Sequence, residues 1–103
     1  MAQLVSPLAP THLPDLPPVD GVRIAARECN IRYKGRKDVM LMELAPGTTI
    51  AGVLTKSLTR SAPVDLCRKN LAKAKARAIL VNAGNANAFT GKAGEASVAR
   101  CLK

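Results

Sequence analysis

The stretch AILVNAGNANAFTG, residues 78–91, decides how this chain folds. Residues 78–81 are apolar and include two β-branched side chains, a pattern that predicts a buried central β-strand. The strand passes into a loop in which three asparagines alternate with alanine and glycine. A helix is predicted to begin near Lys92, with Thr90 placed to cap it and apolar residues recurring at helical spacing. A strand, a loop and a helix in this order are typical of an α/β protein.

Upstream of this stretch the sequence predicts three strands and one more helix. Residues 38–44 form a nearly continuous apolar run, Pro46-Gly47 is a favourable turn pair, and residues 49–55 offer a partner strand for an antiparallel hairpin. Residues 22–26 alternate weakly and predict a further strand. Pro63 can begin a helix, where its missing N–H costs nothing. The apolar stripe expected on that helix is Val64, Cys67, Leu71 and Ala74. The predicted fold class is α/β, a layered mixed sheet with helices.

Two regions follow from the distribution of proline. Residues 1–20 contain five of the seven prolines, so they are interpreted as a Pro-rich N-terminal arm that joins neither a helix nor a central strand. Residues 21–103 are expected to be ordered. The last helical pattern reaches Lys103 without a Gly, Asn or Pro to end it, so we expect the fold to be incomplete.

The charge of the chain raises a nucleic-acid alternative. There are 16 Lys and Arg against 7 Asp and Glu, a net charge of +9. A small basic nucleic-acid-binding module would explain this charge, as would a missing acidic remainder of the protein. The only aromatic residues are Tyr33 and Phe89, too few for base stacking, and no nucleic-acid motif is present. The basic cluster at residues 32–37 is interpreted as a solvated turn between two apolar segments.

The cysteine and hydropathy patterns limit which kinds of site and partner the chain can have. Cys29, Cys67 and Cys101 have spacings that match no metal or redox motif, and His12 is the only histidine, so no metal site is expected. Three thiols without a secretory signal predict reduced, packed cysteines in the cytoplasm. No apolar stretch approaches the length of a membrane span, so no membrane partner is expected.

The asparagines of the loop, Asn82, Asn85 and Asn87, admit two interpretations. Their amides can tie down backbone groups in a tight loop, which is the usual use of such side chains and the favoured interpretation. Alternatively they line a polar substrate pocket, because a junction between a strand and a helix is a common place for a ligand.

Residues 81–91 resemble the V-N-x-G-N-A-N-A-x-T-G signature of the ornithine acetyltransferase family, the bifunctional glutamate N-acetyltransferases. Three further segments agree in the same order: residues 31–38 resemble an early basic segment of that family, residues 51–56 resemble its A-G-V-F-T-[KR], and residues 62–64 resemble its A-P-V. The similarity covers residues 21–103, whereas the Pro-rich arm matches no familiar pattern.

The resemblance implies that residues 21–103 are the N-terminal portion of the family's acetyltransferase α-chain domain, with an incomplete version of that fold. The family moves an acetyl group from N-acetylornithine to glutamate in arginine biosynthesis, and some members also use acetyl-CoA as a co-substrate. No other cofactor is expected. The precursor cleaves itself, and the new N-terminal threonine of the second chain is the nucleophile. The implied partners are the remainder of the precursor, in a hetero-oligomer of two chain types.

The family's chemical groups are not found in this sequence. Neither the S-T-G-V string of the oxyanion hole nor the A-T-M-L cleavage site occurs, so no catalytic residue is assigned within 1–103. Thr90 is not taken as the nucleophile. The only predicted site residues are Asn82, Asn85 and Asn87, as the scaffold of a substrate pocket. The chain alone is expected to be inactive. A threonine peptidase of related architecture is a third hypothesis, weakened equally by the missing nucleophile.

Overall fold

The structure, a computed structural model of the chain, describes residues 5–103. Residues 5–20 form no helix or strand and are largely exposed, while residues 1–4 of the predicted arm lie outside the described residues. Five elements follow in chain order: β1 (Val22–Arg27), β2 (Val39–Leu44), α1 (Ala62–Leu71), β3 (Ala78–Asn82) and α2 (Gly91–Cys101).

The strands form one sheet in the order β1-β2-β3. Val22 pairs with Leu44 across the first antiparallel pair, and Met40 pairs with Val81 across the second. The predicted α/β class is confirmed. Within residues 5–103 the sheet is wholly antiparallel, where mixed pairing was expected.

The predicted hairpin between residues 38–44 and 49–55 is wrong. After the Pro46-Gly47 turn, the chain runs beside residues 74–75, which directly precede β3. The Ile50 N–H donates to the Ala74 carbonyl, and Thr49 and Lys75 form a single β-bridge. Beyond that bridge the segment is not a strand, and β3 occupies the place beside β2. β3 was predicted to be central and buried, but it is a mostly exposed edge strand of the described sheet. The more apolar β2 is the central strand.

Both predicted helices form, with different ends. α1 stops at Leu71, and Ala74 lies outside the expected stripe because its φ of +51° leaves the helical region. α2 stops at Cys101, where the Leu102 N–H turns back to the carbonyls of Ala99 and Arg100, so the expected continuation to Lys103 is also wrong. None of the helices described in residues 5–103 is long and apolar enough to cross a membrane.

The solvent-accessible surface of the chain is much larger than that of a compact protein of the same mass. It exposes 9095 Å², whereas a compact protein of this mass exposes about 5,500 Å². Its radius of gyration is 16.0 Å, against about 13 Å for a compact domain of this length. Leu44 is the one buried hydrophobic residue of the described chain. The predicted packing of the cysteines is wrong for the same reason, since all three thiols are free and exposed.

The helices pack on each other and, in the described chain, not on the sheet. An apolar cleft of about 590 Å³ separates the two layers. The cleft is lined by Leu66 and Leu71 of α1, Val98 of α2, Leu102 directly after α2, and Ile79 of β3. A gap of this size between apolar faces means that the two layers do not close a core by themselves.

Candidate functional site

The cleft between the helices and the sheet is lined mainly by apolar side chains, with several polar ones among them. Asn82, Asn85 and Asn87, the three predicted site residues, all contribute to its lining, together with Ile31 from the loop after β1. The structure therefore places all three asparagines on one cleft, whose other polar lining residues are Asn70, Lys75 and Ser97. Small-molecule sites commonly combine an apolar wall with a few convergent polar groups.

Within the loop the amides bond to the loop's own backbone. The Asn82 amide donates to the Asn85 carbonyl at 2.8 Å, and the Asn85 amide oxygen accepts from the Asn87 N–H at 3.2 Å. These bonds agree with the favoured scaffold interpretation. The Asn82 amide oxygen and the Asn85 amide nitrogen have no partner in the loop. The prediction of a substrate contact applies to these two atoms.

Asn87 joins the starts of both helices. Its carbonyl accepts from the Ala62 N–H at the start of α1, and its amide donates to the Gly94 carbonyl of α2 at 3.0 Å. The amide oxygen accepts from the Thr90 hydroxyl at 2.7 Å. The φ of Asn87 is +50°, a left-handed conformation that asparagine tolerates better than most residues. We call Asn87, Thr90 and Gly94 the helix corner.

Thr90 precedes α2 as predicted, but its side chain does not cap that helix. The hydroxyl turns back to Asn87, and this is possible because Gly94 has no Cβ. A Cβ at Gly94 would lie 2.6 Å from the Thr90 Cβ and 2.8 Å from the Asn87 amide oxygen. The corner is therefore a packed unit that depends on glycine in the first turns of α2.

Phe89 stands at the tip of the loop with its ring in solvent. It is 86% exposed, and its φ of +58° is strained for a bulky side chain. In the described chain, nothing covers the ring. An apolar ring held outward by a fixed loop is a surface that another polypeptide segment or a ligand can cover.

Asp38 is a second organising residue. Its side chain is buried, with 4% exposure, and its two carboxylate oxygens accept from the backbone N–H groups of Cys29 and Ile31 at 2.6 and 2.7 Å. Its carbonyl accepts from the Ala83 N–H at 2.8 Å. Asp38 thus ties the loop after β1 to the first residues of the asparagine loop.

The backbone donors hold the pKa of Asp38 below its ordinary value of 3.8, with the nearby positive charge of Arg36 as a smaller contribution. A lowered folded-state pKa stabilises the fold above the ordinary aspartate pKa, and the contribution is lost as the pH falls toward the folded-state value. Replacement Asp38→Asn puts an amide donor against one of the two backbone N–H groups. We expect the melting temperature at neutral pH to fall by roughly 5 °C or more.

The measurement is circular dichroism melting of both proteins at several pH values. The acid-induced loss of stability should also flatten in the variant, since asparagine does not titrate. Glu95→Gln is the matched control, because Glu95 is exposed and receives no recorded hydrogen bond. Equal melting temperatures for Asp38→Asn and the parent would show that Asp38 does not organise the loop.

Sequence reasoning missed both Asp38 and Gly94. Asp38 was placed at the edge of an apolar run, and the only signal of its role was an acid directly following a basic cluster. For Gly94 the signal was a glycine inside a helical pattern, which lowers helix stability unless packing requires it. In residues 5–103 no cluster of three or more His, Cys, Asp or Glu side chains could hold a metal ion.

Comparison with known proteins identifies the family. The ArgJ family matches residues 23–103. The arginine biosynthesis bifunctional protein ArgJ of Mesorhizobium japonicum is 56% identical over 99 residues, which cover 96% of this chain and 24% of that protein. The same-named protein of Bradyrhizobium diazoefficiens is 55% identical over 103 residues, covering all of this chain and 25% of that protein.

A solved structure agrees with the sequence relatives. A crystal structure of ornithine acetyltransferase complexed with ornithine, from Mycobacterium tuberculosis, superimposes with a TM-score of 0.71 and 36% identity, covering 75% of this chain and 40% of that one. The chain spans about a quarter of the length of the curated relatives it matches. The nucleic-acid alternative gains no support from these matches. With four-fifths of its residues matched by the family, this chain belongs to the ArgJ family of arginine-biosynthesis acetyltransferases.

Proposed function

We propose that this chain forms part of an acyltransferase that moves the acetyl group of N-acetylornithine to glutamate, and that it supplies the scaffold of the substrate cleft and none of the reacting groups. The observation that carries the proposal is the family match over residues 23–103. The likeness to a structure complexed with ornithine supports a cleft for an ornithine-type substrate. Asn82, Asn85 and Asn87 are the proposed polar residues of that substrate site.

The remaining steps belong to residues outside this sequence. In the proposed enzyme the precursor cleaves itself, and the new N-terminal threonine attacks the acetyl carbonyl, with its own α-amino group as the base. A Thr-Gly pair stabilises the resulting oxyanion. Ornithine leaves as the acetyl-threonine forms, and the amino group of glutamate then takes the acetyl group and frees the threonine. Acetyl-CoA is a further acetyl donor. The proposed assembly contains two chain types, located in the cytoplasm.

The exposed apolar surface of this chain fits such an assembly. Phe89, the cleft and the edge strand β3 are left uncovered within residues 5–103. The relatives are about four times as long as the matched region, so they have ample chain to cover these surfaces. An acidic covering segment would also offset the charge of +9.

A chimera tests the function directly. This chain replaces the matching segment of the Mesorhizobium japonicum relative, and formation of N-acetylglutamate from N-acetylornithine and glutamate is measured. We expect the chimera to be active, because 56% identity preserves the scaffold. We expect the 103-residue chain alone to give no product above a blank without protein, since its sequence has no A-T-M-L site whose cleavage would free an N-terminal threonine.

The unmodified relative is the positive control for the assay. A chimera that folds and assembles like that relative but transfers no acetyl group would contradict the proposed scaffold role. Product formed by the chain alone would contradict the assignment of the reacting groups to other residues. The double substitution Asn82→Ala/Asn85→Ala in the chimera should raise the KM for N-acetylornithine by a larger factor than it lowers kcat.

A further inference from the structure

The loop between β1 and β2, residues 28–38, carries four cations within six residues and is called here the basic loop. The cations are Arg32, Lys34, Arg36 and Lys37. Sequence patterns indicated only a solvated turn. With the carboxylates of Glu28 and Asp38 opposing the four cations, residues 28–38 carry a net charge of +2, and three features of the structure make the loop a candidate anion site.

The acids of the basic loop are engaged with its own backbone. Asp38 accepts from two backbone N–H groups, and the Glu28 carboxylate accepts from the Gly35 N–H at 2.6 Å. The ion pairs recorded in residues 5–103 lie elsewhere, Arg23 with Glu43 and Arg60 with Asp65. The four cations of the loop therefore form no ion pair in the described chain, although Arg36 is close enough to Asp38 to lower the pKa of that carboxyl.

The Tyr33 ring contacts two of these cations. The guanidinium carbon of Arg36 lies 4.1 Å from the ring centroid and that of Arg32 lies 5.4 Å from it, both within the range of a cation–π contact. Two guanidinium groups that share one ring lose little further conformational freedom when an anion binds. Their planar forks match the oxygens of a phosphate group.

The basic loop also packs against the asparagine loop. Gly84 of the asparagine loop approaches Arg32 so closely that a Cβ at this glycine would lie 3.0 Å from the Arg32 Cβ. The backbone of the basic loop therefore adjoins the asparagine loop, and its Ile31 is part of the cleft wall.

We propose that the basic loop binds the adjacent phosphate groups of a small phosphorylated ligand. Two arginines on one ring and two neighbouring lysines can share a diphosphate, whereas a monoanion would leave most of this charge unused. A nucleic acid fits less well, because the one aromatic ring of the loop is occupied by guanidinium groups rather than open for base stacking. The proposal concerns phosphate binding alone and is independent of acetyl transfer.

The test is titration of the 103-residue chain in the cold with pyrophosphate, ADP and coenzyme A, without metal, in about 50 mM salt. Binding is followed by amide chemical shifts and by the rise in melting temperature. We expect saturable binding, with the shifts concentrated in residues 28–38 and at Gly84. The double variant Arg32→Gln/Arg36→Gln should weaken pyrophosphate binding by about tenfold.

Lys69→Gln/Lys73→Gln is the matched control, since it removes the same charge from exposed positions at the end of α1 and beyond it. It should change the affinity less than about twofold. Arg36→Lys keeps the charge but loses the planar fork, so an intermediate loss is expected. If the arginine variant and the lysine variant weaken pyrophosphate binding equally, the proposal is overturned. Such a result would mean that the affinity depends on the net charge of the chain and not on the basic loop.

The three probes separate the sources of the phosphate groups. Equal affinity for all three supports a site for diphosphate itself, and tighter binding of ADP or coenzyme A supports a nucleotide-type ligand. No saturable binding of any probe would overturn the proposal. Binding of a short RNA at concentrations where pyrophosphate does not bind would also overturn it, in favour of a nucleic-acid surface.

Discussion

Replacement of Gly94 by alanine should release the asparagine loop and unfold the start of α2, although alanine is the better helix former. At an unconstrained helix position this substitution gains about 1 kcal/mol. At Gly94 the new Cβ would overlap the Thr90 hydroxyl oxygen and lie 2.6 Å from the Thr90 Cβ and 2.8 Å from the Asn87 amide oxygen. Neither neighbour can move freely, because each is hydrogen-bonded to the other and Asn87 also bonds to Gly94 itself.

The expected net loss is about 2–4 kcal/mol: crowding costs about 1–3 kcal/mol and the two lost hydrogen bonds about 1 kcal/mol each, while the helix preference of alanine returns about 1 kcal/mol. A loss of this size is comparable with the whole stability of a small, poorly covered chain. We therefore expect Gly94→Ala to remove the dispersed amide resonances of residues 82–101. The measurement is the proton–nitrogen correlation spectrum of both proteins, recorded in the cold.

Two further variants decide whether crowding is the cause. Gly52→Ala makes the same chemical change where the new Cβ meets only the Leu71 side chain at an ordinary 3.6 Å, so it should leave the spectrum and the melting temperature nearly unchanged. Thr90→Ala in the Gly94→Ala background removes the Thr90 hydroxyl oxygen, the nearest obstacle, and should restore part of the lost stability. A stabilised Gly94→Ala protein would show that the helix corner does not pack as described.

The local pattern of the sequence was enough to place most of the elements. Residues 22–26, 38–44 and 78–81 predicted the three strands to within a residue or two, because apolar and β-branched runs between turn residues respond to local geometry. Pro63 and Thr90 marked the starts of the two helices for the same reason. The three asparagines were also correctly expected to bond to nearby backbone.

Pairing and closure could not be predicted, because they depend on contacts distant in sequence. Residues 49–55 have a strand-like composition, yet the segment leaves the sheet and Val53 is 99% exposed, while β3 takes the position beside β2. The role of Asp38 required the distance to Cys29 and Ile31. Gly94 required the position of the Thr90 side chain one turn earlier. Neither contact has a signature in the residue pattern.

The isolated chain should unfold over a broad range with a midpoint below about 45 °C, under the range of ordinary small domains. Leu44 is its one buried hydrophobic residue in the described chain, and no described side chain is more than 98% buried. Val53, Leu58 and Phe89 are 99%, 95% and 86% exposed, so they contribute nothing to the free energy of folding. The cleft leaves further apolar surface in contact with water.

The measurement is calorimetry of the isolated chain at several concentrations, together with hydrogen exchange of the same residues in the chimera. We expect a calorimetric enthalpy well below about 70 kcal/mol, the value for a compact domain of this length, and strong protection of β2 only in the chimera. A midpoint that rises with concentration would mean that copies of the chain cover one another's apolar faces. A sharp two-state transition above 60 °C in a chain shown to be monomeric would contradict the prediction, because a stable core would then exist without covering segments.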